Sequence, residues 1–147
     1  MRLQSIWERT VLVIPIRIGL GVFWLAAARL GGASGRPALL AFAIGTFGLA
    51  FAALNDPRRR FVQRAVEPLE APADAVVDPR WRQALGAMLP STAGVSILAA
   101  IALVPQPTLA ALLGGVSAGL GLAALISLPR VDRRLYVEPR GRTVYRF

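Results

Sequence analysis

Four stretches of the chain, 11–30, 38–54, 86–104 and 109–128, are dominated by Leu, Ala, Val, Ile, Phe and Gly and hold almost no charge. At a rise of about 1.5 Å per residue, a helix of roughly twenty residues spans the ~30 Å hydrocarbon layer of a bilayer. The pattern predicts an all-α integral membrane protein with four transmembrane helices in two antiparallel hairpins. The turns within the hairpins are short, Gly31–Pro37 and Pro105-Gln106-Pro107, which leaves little choice but antiparallel neighbours. The chain divides into a cytoplasmic head (1–10), a first transmembrane hairpin (11–54), a cytoplasmic loop (55–85), a second hairpin (86–128) and a basic cytoplasmic tail (129–147).

The polar segments carry their own patterns. In the central loop, Asp56-Pro57 is a helix-start signal, and Phe61, Val62, Ala65 and Val66 then fall on one face. Arg58, Arg59, Arg60 and Arg64 surround that face, so 57–66 reads as a short interfacial helix lying on the membrane. Asp78-Pro79 repeats the start signal before the third apolar stretch. Trp7 and Trp81 stand at the edges of apolar stretches, where indole rings anchor to the headgroup layer. In the tail, 135–138 and 143–147 are β-prone and flank the turn signal Pro139-Arg140-Gly141-Arg142, which predicts a small C-terminal β-hairpin.

Charge orients this arrangement. Seventeen residues are basic and eight acidic, a net charge of +9, and every basic residue is arginine. Two arginines lie in the head, six in the central loop and six in the tail; the turns on the other side hold Arg29 and Arg36. Basic residues in short loops mark the cytoplasmic side. Both termini and the central loop are therefore expected in the cytoplasm, with the helices in the inner membrane. A basic head before an apolar run ending Ala26-Ala27-Ala28 also has the outline of a secretory signal, but Arg17 within the run and its length argue against one.

The fourth stretch supplies the strongest packing signal. Ala111, Gly115, Gly119 and Ala123 recur every four residues and form a small-residue ridge, the surface on which transmembrane helices approach closely. The ridge is expected to pack against the second or third helix, or else against a second copy or a partner's helix. The two halves also share an order of span, proline-bearing turn, span, proline and arginine, as a parallel repeat would. Arg17 is a charge within a span, expected to snorkel to the headgroups or to meet a lipid phosphate or partner carboxylate. Arg58, Arg59, Arg60, Arg64, Arg130, Arg133 and Arg134 would draw anionic lipid or a partner to the cytoplasmic face.

Chemistry is sparse. The chain has no Cys and no His, and all eight acids lie outside the apolar interiors. Disulfides, thiol chemistry, soft-metal sites and the commonest general base are thereby removed, and no cofactor or metal is expected. Proton-coupled transport, which relies on acids or His within spans, is disfavoured. Nucleic acid is not the expected partner despite the charge. The sequence points to a non-enzymatic accessory or structural subunit that meets a membrane-protein partner or itself by helix packing and basic cytoplasmic surfaces. The alternative is a small oligomeric transport or lipid-handling protein.

Overall fold

The computed structural model describes residues 2–56, 68–138 and 144–147. The interfacial helix expected over 57–66, with Arg58, Arg59, Arg60 and Arg64, lies outside these residues. The chain is mostly helical: α1 (Ile6–Leu30), α2 (Gly35–Asn55), α3 (Arg80–Met88), α4 (Ser91–Leu103) and α5 (Pro107–Ser127). Strands β1 (Arg2–Ser5), β2 (Leu69–Glu70), β3 (Val76–Val77), β4 (Leu135–Val137) and β5 (Val144–Arg146) complete it. Three helices, α1, α2 and the stretch beginning with α5, are long and apolar enough to cross a membrane; a fourth crossing requires α3 and α4 to act together.

The first helix starts earlier than its apolar run. Ser5 caps it, its hydroxyl accepting from the Glu8 amide at 3.2 Å. Ser5 and Glu8 have the spacing of a capping box, which fixes the start one turn inside the expected head. The helix then runs unbroken through Pro15 to Leu30 and ends at Gly31, followed by Gly32 in the left-handed region (φ +101°). Four residues, 31–34, connect it to α2.

The third apolar stretch departs from expectation. It is no single helix over 86–104: the chain breaks at Leu89–Pro90, and α3 and α4 meet at a bend of 55°. A residue preceding proline is pushed out of the helical region, and Leu89 is extended (φ −88°, ψ 140°). At thirteen residues, α4 is about 20 Å long by helical rise, short of the hydrocarbon thickness.

The core is organised on α5. Ala28, Ala102, Ala110 and Ala111 cluster at the end of the bundle where the turns 31–34 and 104–106 lie. From there α5 descends between α1 and α2, antiparallel to α1 and parallel to α2. The directions follow from close approaches: Gly21 meets Gly114 while Ile14 and Ile18 meet Gly121, and Phe42 meets Gly115 while Thr46 meets Gly119. The two helices of the first hairpin therefore pack mainly on α5 and touch each other little. A parallel repeat would require α4 to rest on α2 as α1 rests on α5. Instead α4 rests on α5 and, more lightly, on α1, so no pseudo-twofold relates the halves.

At the opposite end the chain forms a five-stranded sheet in the order β2-β5-β4-β1-β3. The expected tail hairpin is its centre, with Tyr136 opposite Tyr145 and Val137 opposite Val144. Head and central segment extend it: β1 joins β4 antiparallel through Gln4–Val137 and Ser5–Tyr136, β3 joins β1 parallel, and β2 joins β5 parallel. Pairing with the tail gives the hairpin the further strands that an isolated one lacks. Asp132 anchors the hairpin's approach, accepting from the Arg134 amide at 2.9 Å and from Arg146 at 3.1 Å. The first of these bonds, then the second, lowers its pKa.

Candidate functional site

The polar groups inside the helical bundle gather at the break between α3 and α4. A helix leaves its last carbonyls without intrahelical donors, and in lipid no water replaces them. Arg17, about three turns into α1, supplies a donor to one of them. Its Nη2 donates to the Ala87 carbonyl at 3.2 Å, in the last turn of α3, and its Nε donates to Thr92 Oγ1 at 3.1 Å, in the first turn of α4. The guanidinium also meets the negative end of the α3 dipole. Two turns further along α1, Trp24 Nε1 donates to Ser96 Oγ at 3.4 Å, so two α1 side chains hold two α4 hydroxyls. Ser117 of α5 closes the arrangement by donating to the Arg17 carbonyl at 3.0 Å. Arg17, for which the sequence suggested a headgroup or partner site, turns in these two bonds toward the chain's own helix break.

A second polar cluster lies where the sheet meets the helices. Gln83 of α3 is wholly buried; its Nε2 donates to the Asp78 carbonyl at 2.7 Å and to Glu8 Oε2 at 3.5 Å. Gln4 Nε2 donates to Asp78 Oδ2 at 3.1 Å, and the Asp78 amide donates to the Leu3 carbonyl at 2.8 Å. Asp78 therefore ties β1 to the entry of α3 and does not cap that helix, whose N-cap is Pro79. Arg9 donates to the Gly86 carbonyl at 3.3 Å, and Arg80 faces Glu8 at 3.5 Å. Sequence reasoning missed Gln4 and Gln83. Gln83 carried little signal: Gly86 and Ala87 stand one turn on, but Arg80 stands one turn back.

The four ridge residues, Ala111, Gly115, Gly119 and Ala123, are all buried. A Cβ added at Gly115 would collide with the Phe42 carbonyl, and one at Gly119 would lie 2.5 Å from the Thr46 carbonyl oxygen. The ridge is occupied by α2 of the same chain. Its neighbouring side, Gly114, Ala118 and Gly121, is occupied by α1.

The remaining expected residues separate. Trp7 is half-buried under the tail, with the Arg133 guanidinium 4.7 Å from its ring centroid. Arg130 and Arg134 are exposed, beside the sheet. Trp81 is exposed on α3, with the Arg82 guanidinium 5.0 Å from its ring centroid. Among the described residues no three His, Cys, Asp or Glu side chains stand together as metal ligands. The arrangement can pack, brace and bind. No protein-family model, no curated protein and no solved structure matches the chain.

Proposed function

We propose that the chain is a non-enzymatic accessory subunit of the inner membrane, anchored by four crossings, which presents its arginine-rich sheet end to a membrane-protein partner. One observation carries the reading. Head, central segment and tail enter a single sheet, while the small-residue faces of α5 are consumed by α1 and α2. That shared sheet supports an even number of crossings between the segments, the third running through α4 from an α3 that enters at the headgroup layer. Because the ridge is used within the chain, partner contact falls to the sheet end, where Arg130 and Arg134 are exposed.

The arginine asymmetry supports a cytoplasmic sheet end. Cysteines introduced singly at Ser34 and Ala73, in a chain that has none, test this with an impermeant thiol reagent on spheroplasts. Ser34→Cys is expected to label from outside and Ala73→Cys only after permeabilisation; the reverse pattern overturns the orientation.

The function is tested by purification in mild detergent beside the variant Arg130→Glu/Arg134→Glu. A membrane protein is expected to remain bound to the native chain and to be lost from the variant at unchanged melting temperature. A bare chain in both preparations would overturn the reading. The break between α3 and α4 favours a second reading, lipid or solute handling, since broken helices line many transport sites. A bare oligomer with bound lipid or solute would support it.

A further inference from the structure

The nine residues of α3 are arranged inside out. A helix on the surface of a water-soluble domain buries its apolar side and shows its polar side. In α3 the inward side carries the small Ala87 and the wholly buried Gln83, the latter held by Asp78 and Glu8. The side turned outward carries Trp81, Leu85 and, just past the last turn, Leu89, exposed by 60%, 46% and 55%. Successive residues are about 100° apart around a helix. Trp81, Ala84, Leu85, Met88 and Leu89 therefore form one apolar stripe, and Arg80 and Arg82 stand about 100° to either side of Trp81.

We infer that α3 lies in the headgroup layer of the membrane and gathers anionic phospholipid there, its stripe of Trp81, Leu85 and Leu89 in the acyl boundary and Arg80 and Arg82 at the phosphates. The inference rests on the membrane reading above. Several features select lipid as the occupant. The polar Gln83 faces the protein, where its Nε2 donates to Asp78 and Glu8, and this leaves the apolar stripe as the outward side. The arginines flank the stripe as in helices that lie on anionic bilayers. The 55° bend turns α3 away from the direction of α4, whose own outward residues Ile97, Leu98 and Ile101 are exposed apolar groups. The preceding strand β3 belongs to the sheet, which sets α3 at the arginine-rich end of the bundle. Arg82 already stacks on Trp81, so the indole and the cation would share one interfacial depth.

The test uses the full chain with single bimane labels on Leu85→Cys, Ile97→Cys and Ala73→Cys, reconstituted into phosphatidylcholine vesicles with or without phosphatidylglycerol. Brominated lipid is expected to quench the labels at 85 and 97, and aqueous iodide the label at 73. Arg80 already faces Glu8, so about one arginine's worth of attraction is available. Brominated phosphatidylglycerol should then quench the label at 85 about fivefold more effectively, per lipid, than brominated phosphatidylcholine. Arg80→Gln/Arg82→Gln is expected to erase that preference while leaving quenching at 97 intact. Three results would overturn the inference with the membrane reading standing, each with the label at 97 quenched by lipid. They are a label at 85 quenched by iodide, one shielded from both quenchers by protein, and one quenched equally by the two lipids. A label at 97 that lipid does not quench overturns the membrane reading as well.

Discussion

Gly119→Leu is expected to lower the melting temperature of the detergent-solubilised chain by several degrees or more. Overpacking a close-fitted interior costs about 1–3 kcal/mol and sometimes more. Here the first added atom already lies 2.5 Å from the Thr46 carbonyl oxygen and 3.1 Å from its Cα. Those are backbone atoms, which cannot rotate aside as a side chain can. The whole of α2 must move, so the cost belongs at or above the top of that range. Gly48→Leu is the matched control. It makes the same chemical change on α2, where nothing lies within 4 Å of the added Cβ. Leucine is the better helix former by up to about 1 kcal/mol, so Gly48→Leu should leave melting unchanged or raise it. Side-by-side melting curves decide the matter. Equal behaviour of the two variants would show that α2 does not seat on the ridge.

The ridge was legible in the sequence because its cause is local: small residues every four positions face one way on any helix. Its occupant was not legible. Ala, Gly and Leu carry no partner identity, and only the assembled register brings Phe42 to Gly115 and Thr46 to Gly119. The same division runs through the rest of the fold. The tail hairpin could be read from its β-prone runs and turn, but its three further strands are two to four residues long. Strands that short have no period of their own and exist through the pairing. The early start of α1 was written in Ser5 and Glu8, a capping-box pair that the later apolar run overshadowed. Pro90 stood near the start of the third stretch, yet hydropathy runs on across it, and whether such a proline bends or breaks a helix depends on what can satisfy the freed carbonyls.

Arg17 satisfies the carbonyl of Ala87, as Arg9 satisfies that of Gly86, and the replacement of Arg17 is the second large effect. Arg17→Met keeps the length and apolar stem of the side chain and removes its donors. Thr92 can turn its hydroxyl to a carbonyl of its own helix, as Thr46 does with Phe42. The Ala87 carbonyl has no such recourse in a non-aqueous interior. Leaving a buried polar group unsatisfied costs about 1–3 kcal/mol, and the α3–α4 bend would lose the brace on its α1 side. Arg17→Met is therefore expected to lower the melting temperature and to speed hydrogen exchange of the amides around the break, from Met88 to Thr92, with Trp24 still holding Ser96. Arg17→Lys separates this role from a headgroup contact. A lysine snorkels to phosphate as readily as an arginine, so a headgroup role predicts that Lys equals the native residue. The planar guanidinium instead spans two acceptors on two helices, and an ammonium is a point donor that lacks the fork. Lysine should recover one of the two bonds and fall between Arg and Met in both melting and exchange. Native behaviour of Arg17→Lys, with exchange around the break unchanged in Arg17→Met, would mean that the guanidinium serves the lipid surface and that α3 and α4 hold their angle without it.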